Sequence, residues 1–241
     1  MTTLLPPLAN AEANAIANQH VPFFGCFAQQ HPATFQSLNR LLLAHDFTNI
    51  VEFGTHDGGL STLLALYCLG SRQPARAGHD NEPSLYKNQT HHKSPKQFYS
   101  FDNVLRDIPR IELLVAMGAK FAQVDLLNDA KVTAAIGEII AQPGTTLVLC
   151  DGGNKVQEVA LYAPFLKKGD FIMAHDWARD RAHHKQLKES GTWCSWESWW
   201  DEAPIDAGDR QGLKRPCEMN GVVQVYSDEF DGVAWFCGRK Q

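Results

Sequence analysis

Five acidic residues stand where apolar runs end: Glu52 in IVEFG, Asp102 in FYSFDN, Asp125 in FAQVDLL, Asp151 in LVLCDGG and Asp176 in GDFIMAHDW. Carboxylates accept paired hydrogen bonds from hydroxyl and ammonium groups, a chemistry suited to a small polar or charged ligand. Two proton-transfer candidates sit beside them. His175 precedes Asp176 and has an ordinary pKa of about 6.5, near the working range of a general base. Lys155 follows the Asp151-Gly152-Gly153 turn, where desolvation could leave it neutral and basic, with a solvated lysine in the first turn of a helix as the plain alternative. The stretch Ile50 to Ser61, IVEFGTHDGGLS, spaces its glycines as Glu52-x-Gly54-x3-Gly58-Gly59. That pattern describes a strand, a tight turn and a helix start, with no Cβ to hold a ligand off the backbone at Gly54, Gly58 and Gly59 and with unpaired helix N–H groups aimed at it.

The elements that must position these residues alternate along the chain. Short, nearly continuous apolar runs predict strands at 49–54, 97–102, 120–126, 145–151 and 170–176, and the intervening periodicity predicts helices at 59–70, 105–118, 129–141 and 155–167, after a helix near 33–45 with Phe35, Leu38, Leu41 and Leu42 on one face. Such alternation implies a parallel sheet, and in an open α/β sheet ligands bind outside the carboxyl ends of the strands. All five acids would then share one rim. Two late runs, 222–227 and 233–238, add an antiparallel pair at the sheet edge, for seven strands in all. The expected architecture is α/β: a doubly wound, Rossmann-like, mostly parallel seven-stranded sheet with helices on both faces, spanning 48–241 behind an N-terminal helical segment at 1–47.

Composition bounds the partners. The chain has 241 residues, 44% hydrophobic and 20% charged, enough to bury a full core, and its formal net charge of -5 gives no electrostatic reason to expect nucleic acid or an anionic membrane. Cysteines at 26, 68, 150, 194, 217 and 237 form no C-x-x-C pair, and MTTLLPPLANAEANA lacks the basic region and apolar core of a secretion signal, which predicts a reducing cytoplasm. The sequon at Asn88 is then accidental. No apolar run reaches the ~20 residues that span a bilayer. The glycine spacing lacks the G-x-G-x-x-G of dinucleotide sites, and no G-x4-G-K-[ST] phosphate loop occurs.

Taken in order, IVEFGTHDGGLS, FYSFDN, FAQVDLL, LVLCDGG and GDFIMAHDW resemble the motif set of class I S-adenosylmethionine-dependent methyltransferases over roughly residues 48 to 178. The segment DGGNKVQEVALYAPFLKKGDFIMAHDW is similar to the branch that holds macrocin O-methyltransferase and the cephalosporin-hydroxylase group, although Asn154 stands where that branch often has histidine. The resemblance implies S-adenosyl-L-methionine as cofactor, held by Glu52, Gly54, Thr55, Gly58, Ser61, Asp102, Asn103, Asp125, Leu126 and Asp151. Glu52 and Gly54 fall at the amino acid end, Asp102 at the ribose hydroxyls, and Asp125 with Leu126 at the adenine. In metal-dependent relatives acids at the later strand ends hold Mg2+, which implies Mg2+ or another divalent metal on Asp151, His175 and Asp176. Imidazole suits softer ions, so His175 divides between a metal ligand and a general base. Each acid alone reads equally as a helix cap or turn residue; their joint placement on successive strands favours a ligand.

The expected activity is methyl transfer to a hydroxyl of a small molecule or glycan. A hydroxylase like the cephalosporin group and a cofactor-binding protein without turnover are the alternatives, and a homodimer is the base-rate assembly. Two regions fall outside the resemblance. Residues 71–96 carry His79, Asp80, His91 and His92 in a polar loop without a familiar zinc spacing. Residues 182–201 carry His183 and His184 in a charged run, expected on a solvated helix face, and then TWCSWESWWD, whose Trp193, Trp196, Trp199 and Trp200 fall at helical spacing and suggest core or oligomer packing more than a substrate platform. His56 and Asp57, inside the glycine turn, reach the substrate or simply shape the turn.

Overall fold

A computed structural model describes residues 21–23, 26–70, 96–104, 111–208 and 210–241. Five parallel strands carry the sheet: β3 (Phe47–Phe53), β4 (Gln97–Asp102), β5 (Ala119–Gln123), β6 (Thr145–Cys150) and β7 (Phe171–His175). Preceding them, β1 (Val21–Phe23) and β2 (Cys26–Ala28) form a separate antiparallel pair, and α1 (Pro32–Ala44) leads into β3. The helices α2 (Gly59–Gly70), α3 (Ile111–Ala116), α4 (Ala130–Ile140) and α5 (Lys155–Tyr162) follow β3, β4, β5 and β6 in turn. After β7 come α6 (Arg181–Glu189), α7 (Lys214–Met219), β8 (Val222–Gln224), α8 (Ser227–Phe230) and β9 (Trp235–Lys240).

The strand order is β5-β4-β3-β6-β7-β9-β8, with β9 antiparallel to both β7 and β8. This is the seven-stranded, mostly parallel sheet expected from the sequence. Side chains alternate across it, as the pleat requires. Val51, Phe53, Val148, Cys150, Ile172 and Ala174 pack on one face against α4, α5 and the tryptophans, while Ile50, Leu147, Leu149, Phe171 and Met173 pack on the other against α1 and α2. Burial on both faces is why the strands read as continuous apolar runs.

Helix α1 packs directly on the sheet. Leu38, Leu41 and Leu42 of α1 share one buried cluster with Phe47 and Ile50 of β3. Among the described residues no helix is long and apolar enough to cross a membrane. The loop with His79, Asp80, His91 and His92, and the first residues of the helix expected at 105–118, lie outside the described residues.

Two expectations for 182–201 are corrected. Trp193 to Trp200 form no helix but an irregular segment that bridges to β7's end through Trp177 and Ser198. Trp196 and Trp199 are buried in one core cluster, as expected for packing residues, while Trp193 is 56% exposed, so the tryptophans do not form one helical stripe. His183 is buried rather than solvated, accepting the Arg179 N–H at Nδ1, and His184 stacks on Trp196. The helical spacing misled because helix amphipathicity and a loop that folds back on a core can place tryptophans at the same intervals.

The sheet reverses its strand order between β3 and β6, and there the end of β3 is tied by backbone hydrogen bonds to both neighbouring strands. The Gly54 N–H donates to the Phe101 carbonyl and the Asp151 N–H to the Phe53 carbonyl. Gly54 has φ +88°, and a Cβ on it would lie 2.2 Å from the Asp151 carbonyl oxygen. Gly54→Ala should therefore destabilise the fold by at least about 2 kcal/mol, from left-handed strain and backbone overlap together. Urea unfolding measures it, and an unchanged midpoint would show that these two strand ends can part.

Candidate functional site

The carboxyl ends of β3, β4, β6 and β7 open into one cavity of about 500 Å3 whose wall includes Gly54, Thr55, Asp102, Asp151, Lys155, His175 and Asp176. A second cleft of about 380 Å3 adjoins it, lined by Asp125 and Leu126 and sharing Gly54, Asp102, Asn103, Gly152 and Gly153 with the first. Together they make a trough that runs over the β3 turn from the β7 end to the β5 end. Its shape fits an elongated ligand with a polar centre.

Each strand-end acid has a definite neighbourhood. Asp102 accepts the His56 N–H at Oδ2 and the Val104 N–H at Oδ1, each at 3.1 Å, which fixes its carboxylate at the middle of the trough. His56 has φ +47°, so the turn after β3 bends its backbone toward β4. Asp125 is exposed and ties down its own turn, accepting the Leu127 and Asn128 N–H groups and the Asn128 amide. The Asn128 backbone and side chain and the Leu127 N–H lower its pKa from the ordinary carboxylate value. Leu126 is buried and its carbonyl accepts the Tyr162 hydroxyl, which holds that wall of the cleft.

Glu52, Gly58 and Ser61 are placed differently from a direct cofactor contact. None of the three lines the trough. Glu52 points to the α2 face of the sheet and is fully buried, with Oε2 accepting the hydroxyls of Ser61 at 2.5 Å and Ser100 at 2.6 Å. Ser100 in turn shares a hydrogen bond with Thr55, which does line the cavity. Glu52 Oε1 is buried with no hydrogen-bond partner among the described residues. Burial raises its pKa to about 8, against the pull of the two serine hydroxyls. Gly58, with φ +77°, ends the turn, and its carbonyl accepts the Thr62 hydroxyl. This is a cradle whose floor carries an orphaned polar atom, an arrangement that fits the amino acid end of S-adenosylmethionine with Glu52 acting through Ser100 and Thr55 rather than by touch.

On the β6–β7 side the polar groups form two linked clusters. His175 Nδ1 lies 2.8 Å from Asp151 Oδ1, and its ring packs on Trp235 at 4.8 Å between centroids. Trp235 donates to Gln30 Oε1 at 2.8 Å, and Gln30 donates to Asp151 Oδ2 at 2.7 Å, closing a ring of four residues. Burial disfavours protonation of His175, but the carboxylates of Asp151 and Asp176 outweigh it and hold its pKa above the ordinary 6.5. In the other cluster Lys155 Nζ donates to Glu197 and lies 3.2 Å from Asp176 Oδ2. Asp176 takes the left-handed φ of +52° and accepts the Ser195 N–H at Oδ1. Desolvation opposes its ionisation, but His175, Lys155 and the Ser195 N–H bring its pKa down to about 2.

Lys155 is neither solvated nor neutral. It is 6% exposed, and although burial alone would lower its pKa, the charges of Asp151, Asp176 and Glu197 raise it above the ordinary lysine value. Those charges favour the protonated ammonium, a hydrogen-bond donor. Asn154, not Asp151, caps α5, accepting the Gln157 N–H, so Asp151 is left to its side-chain partners.

A divalent metal does not fit this arrangement of Asp151, His175 and Asp176. Each of the four carboxylate oxygens faces a protein donor, His175 and Gln30 on Asp151, Ser195 and Lys155 on Asp176, and the one on Asp176 Oδ2 is an ammonium whose charge disfavours a second cation there. No group of three or more His, Cys, Asp or Glu side chains among the described residues is disposed as a ligand set. Mg2+ demands near-octahedral oxygen ligands, and here an ammonium and an imidazole N–H hold those positions.

Sequence reasoning passed over four contributors. Glu197 hid as the one acid among aromatics in TWCSWESWW, and Ser195 beside it acts only through its backbone. Glu158 is buried and accepts the Gly152 and Asn154 N–H groups, bracing the turn after β6, with a pKa that burial raises to about 7 against the pull of Lys155 and those two N–H groups. Gln30 gave no signal at all, because its partners Asp151 and Trp235 lie 121 and 205 positions away.

The fold is similar to that of CmcI in its apo form, at 12% identity and a TM-score of 0.55, over 91% of this chain and 76% of that one. CmcI with Mg and SAM matches at 15% identity and a TM-score of 0.48, over 71% of this chain and 64% of that one. The MycE methyltransferase of the mycinamycin biosynthetic pathway, in complex with Mg and SAH, matches at 12% identity and a TM-score of 0.45, over 95% of this chain and 53% of that one. The chain thus spans less than two thirds of the length of the last two. No family model and no curated protein matches the sequence. What is shared at these identities is the Rossmann-like methyltransferase fold.

The buried Glu52 sets a pH dependence of stability. Its folded pKa of about 8 exceeds the ordinary 4.5, so the folded protein keeps a proton that the unfolded chain has released. The contribution is complete below pH 4.5 and is lost as pH rises toward about 8, at a slope of about 1.4 kcal/mol per unit. Glu52→Gln should flatten that decline in denaturation measured across this window; parallel curves for the two proteins would mean Glu52 ionises freely in the fold.

Proposed function

We propose that the chain is an S-adenosylmethionine-dependent methyltransferase that methylates a hydroxyl of a small molecule or glycan. The observation that carries this reading is the continuous trough over the Gly54 turn, with a fixed carboxylate at its centre and an oriented imidazole at the β7 end. When bound, the cofactor supplies a methyl carbon on a cationic sulfur that leaves as a neutral thioether.

Gly54 and Thr55 would hold the amino acid end, Asp102 and Asn103 the ribose, and Asp125 with Leu126 the adenine. Asp102 is suited to two vicinal hydroxyls because its oxygens are held in place by backbone donors on both sides. His175 serves as the general base. With Asp151 accepting from Nδ1, the neutral ring carries its lone pair on Nε2, and that atom takes the acceptor hydroxyl proton. The deprotonated oxygen would then be held by these residues in line for the methyl group, whose bond to sulfur breaks as the new one forms. Orientation and deprotonation account for most of the acceleration in such a transfer.

Asp102→Ala should weaken cofactor binding by roughly 1.5 to 3 kcal/mol through loss of charge-assisted hydrogen bonds. Calorimetry with S-adenosylmethionine, its demethylated product and NAD reads this directly; unchanged affinity, or preference for NAD, overturns the cofactor assignment. Mass spectrometry of acceptor products separates methyl gain from oxygen insertion, and cofactor affinity without turnover on any acceptor points to a binding protein.

The rate should rise with pH as His175 loses its proton, through a pKa above the ordinary 6.5 because neighbouring carboxylates outweigh burial. His175→Asn should lower kcat by about a hundredfold or more and remove that inflection. A profile identical in the variant would exclude His175 as the base.

A further inference from the structure

Lys155 occupies a singular place in the site. It lies in the first turn of α5, its side chain is 7% exposed, and its ammonium sits between Asp176 and Glu197 on the wall of the main cavity beside His175 and Ser195. Two of the three ammonium donors face these carboxylates. The third has no partner among the described residues, and the cavity is the open space beside it.

We infer that the Lys155 ammonium is the resident cation of this acid cluster, keeping divalent metal off Asp151 and Asp176 and offering its remaining N–H to the acceptor oxygen. Its geometry makes the two cations exclusive. A metal on Asp176 Oδ2 would sit within about 5 Å of an ammonium that is itself 3.2 Å from the same oxygen. At that separation, with the Lys155 and Asp176 side chains both buried, like charges repel strongly. Gln30 blocks the alternative approach, since its amide fills Asp151 Oδ2 and is itself held by Trp235. A monovalent donor bound through the chain suits the chemistry of the proposed reaction: an N–H aimed at a developing alkoxide or phenolate stabilises it without a metal–oxygen bond.

The metal half of this inference stands apart from the methyltransferase reading, because metal binding is read with no cofactor or acceptor present. The test is Mn2+ titration followed by electron paramagnetic resonance, since Mn2+ accepts both carboxylate and imidazole ligands. The wild-type protein should show no Mn2+ site that Asp176→Asn removes. Lys155→Ala should gain one, at least about tenfold tighter than any nonspecific Mn2+ binding by wild type, once the repelling charge is gone. Lys155→Met, which keeps the apolar stem and the packing, should gain affinity in the same direction, and circular dichroism confirms that each variant is folded. A wild-type Mn2+ site lost in Asp176→Asn overturns the inference without recourse to any lysine variant. Folded lysine variants that gain no site overturn it equally. The acceptor half rests on the proposed function: Lys155→Met should raise KM for the acceptor while cofactor affinity holds, and an unchanged KM removes Lys155 from the acceptor contact.

Discussion

The close approach of β3 and β6 at their carboxyl ends is the constraint on which the rest depends. At the point where strand order reverses, Gly54 passes so near the Asp151 carbonyl that no side chain could stand between them. The contact opens the crevice above the sheet and sets its two arms, one toward Asp102 and Asp125, the other toward Asp151, His175 and Asp176. A bulkier residue would part the strands and misplace both arms at once.

Above that contact, the site is organised by the need to satisfy buried charge. An isolated ion in a protein interior costs more than folding can offset, so each buried acid is found with donors. Asp176 has Lys155 and a backbone N–H, Asp151 has His175 and Gln30, and Glu158 braces the Gly152 turn. Glu52 is the exception, with one oxygen unpartnered beneath the cradle and a pKa raised to about 8 by its burial. The same rule decides between cations. Asp151 and Asp176 face an ammonium, an amide, an imidazole and a backbone N–H, and among the described residues no third acid, histidine or cysteine joins them as a ligand set.

Much of the fold was legible because its signals are local and repeated. Buried parallel strands leave apolar runs in any sequence, and β4 begins and ends where its run does, at Gln97 and Asp102. The helix expected to reach residue 167 stops at Tyr162 and tightens into a 3-10 turn at Ala163–Phe165, where Pro164 interrupts the helical pattern. The tryptophan segment was misread because periodicity reports spacing, not the partner that buries it. Trp196 and Trp199 are buried in the core from an irregular segment, and no helix is needed to place them.

The sequence by itself determined that Asp102, Asp151 and Asp176 stand at strand ends on one rim, beside a turn that needs glycine at position 54. Those features follow from neighbours within a few residues. Only the tertiary structure decided what each acid does, because its partners come from far along the chain. Gln30 reaches Asp151 across 121 positions, and Glu197 reaches Lys155 across 42. Charge state, tautomer and metal fit are set by such contacts, whose energies depend on distance in space and on exclusion of water. So His175 gains its orientation and Lys155 its fixed charge in the folded chain alone.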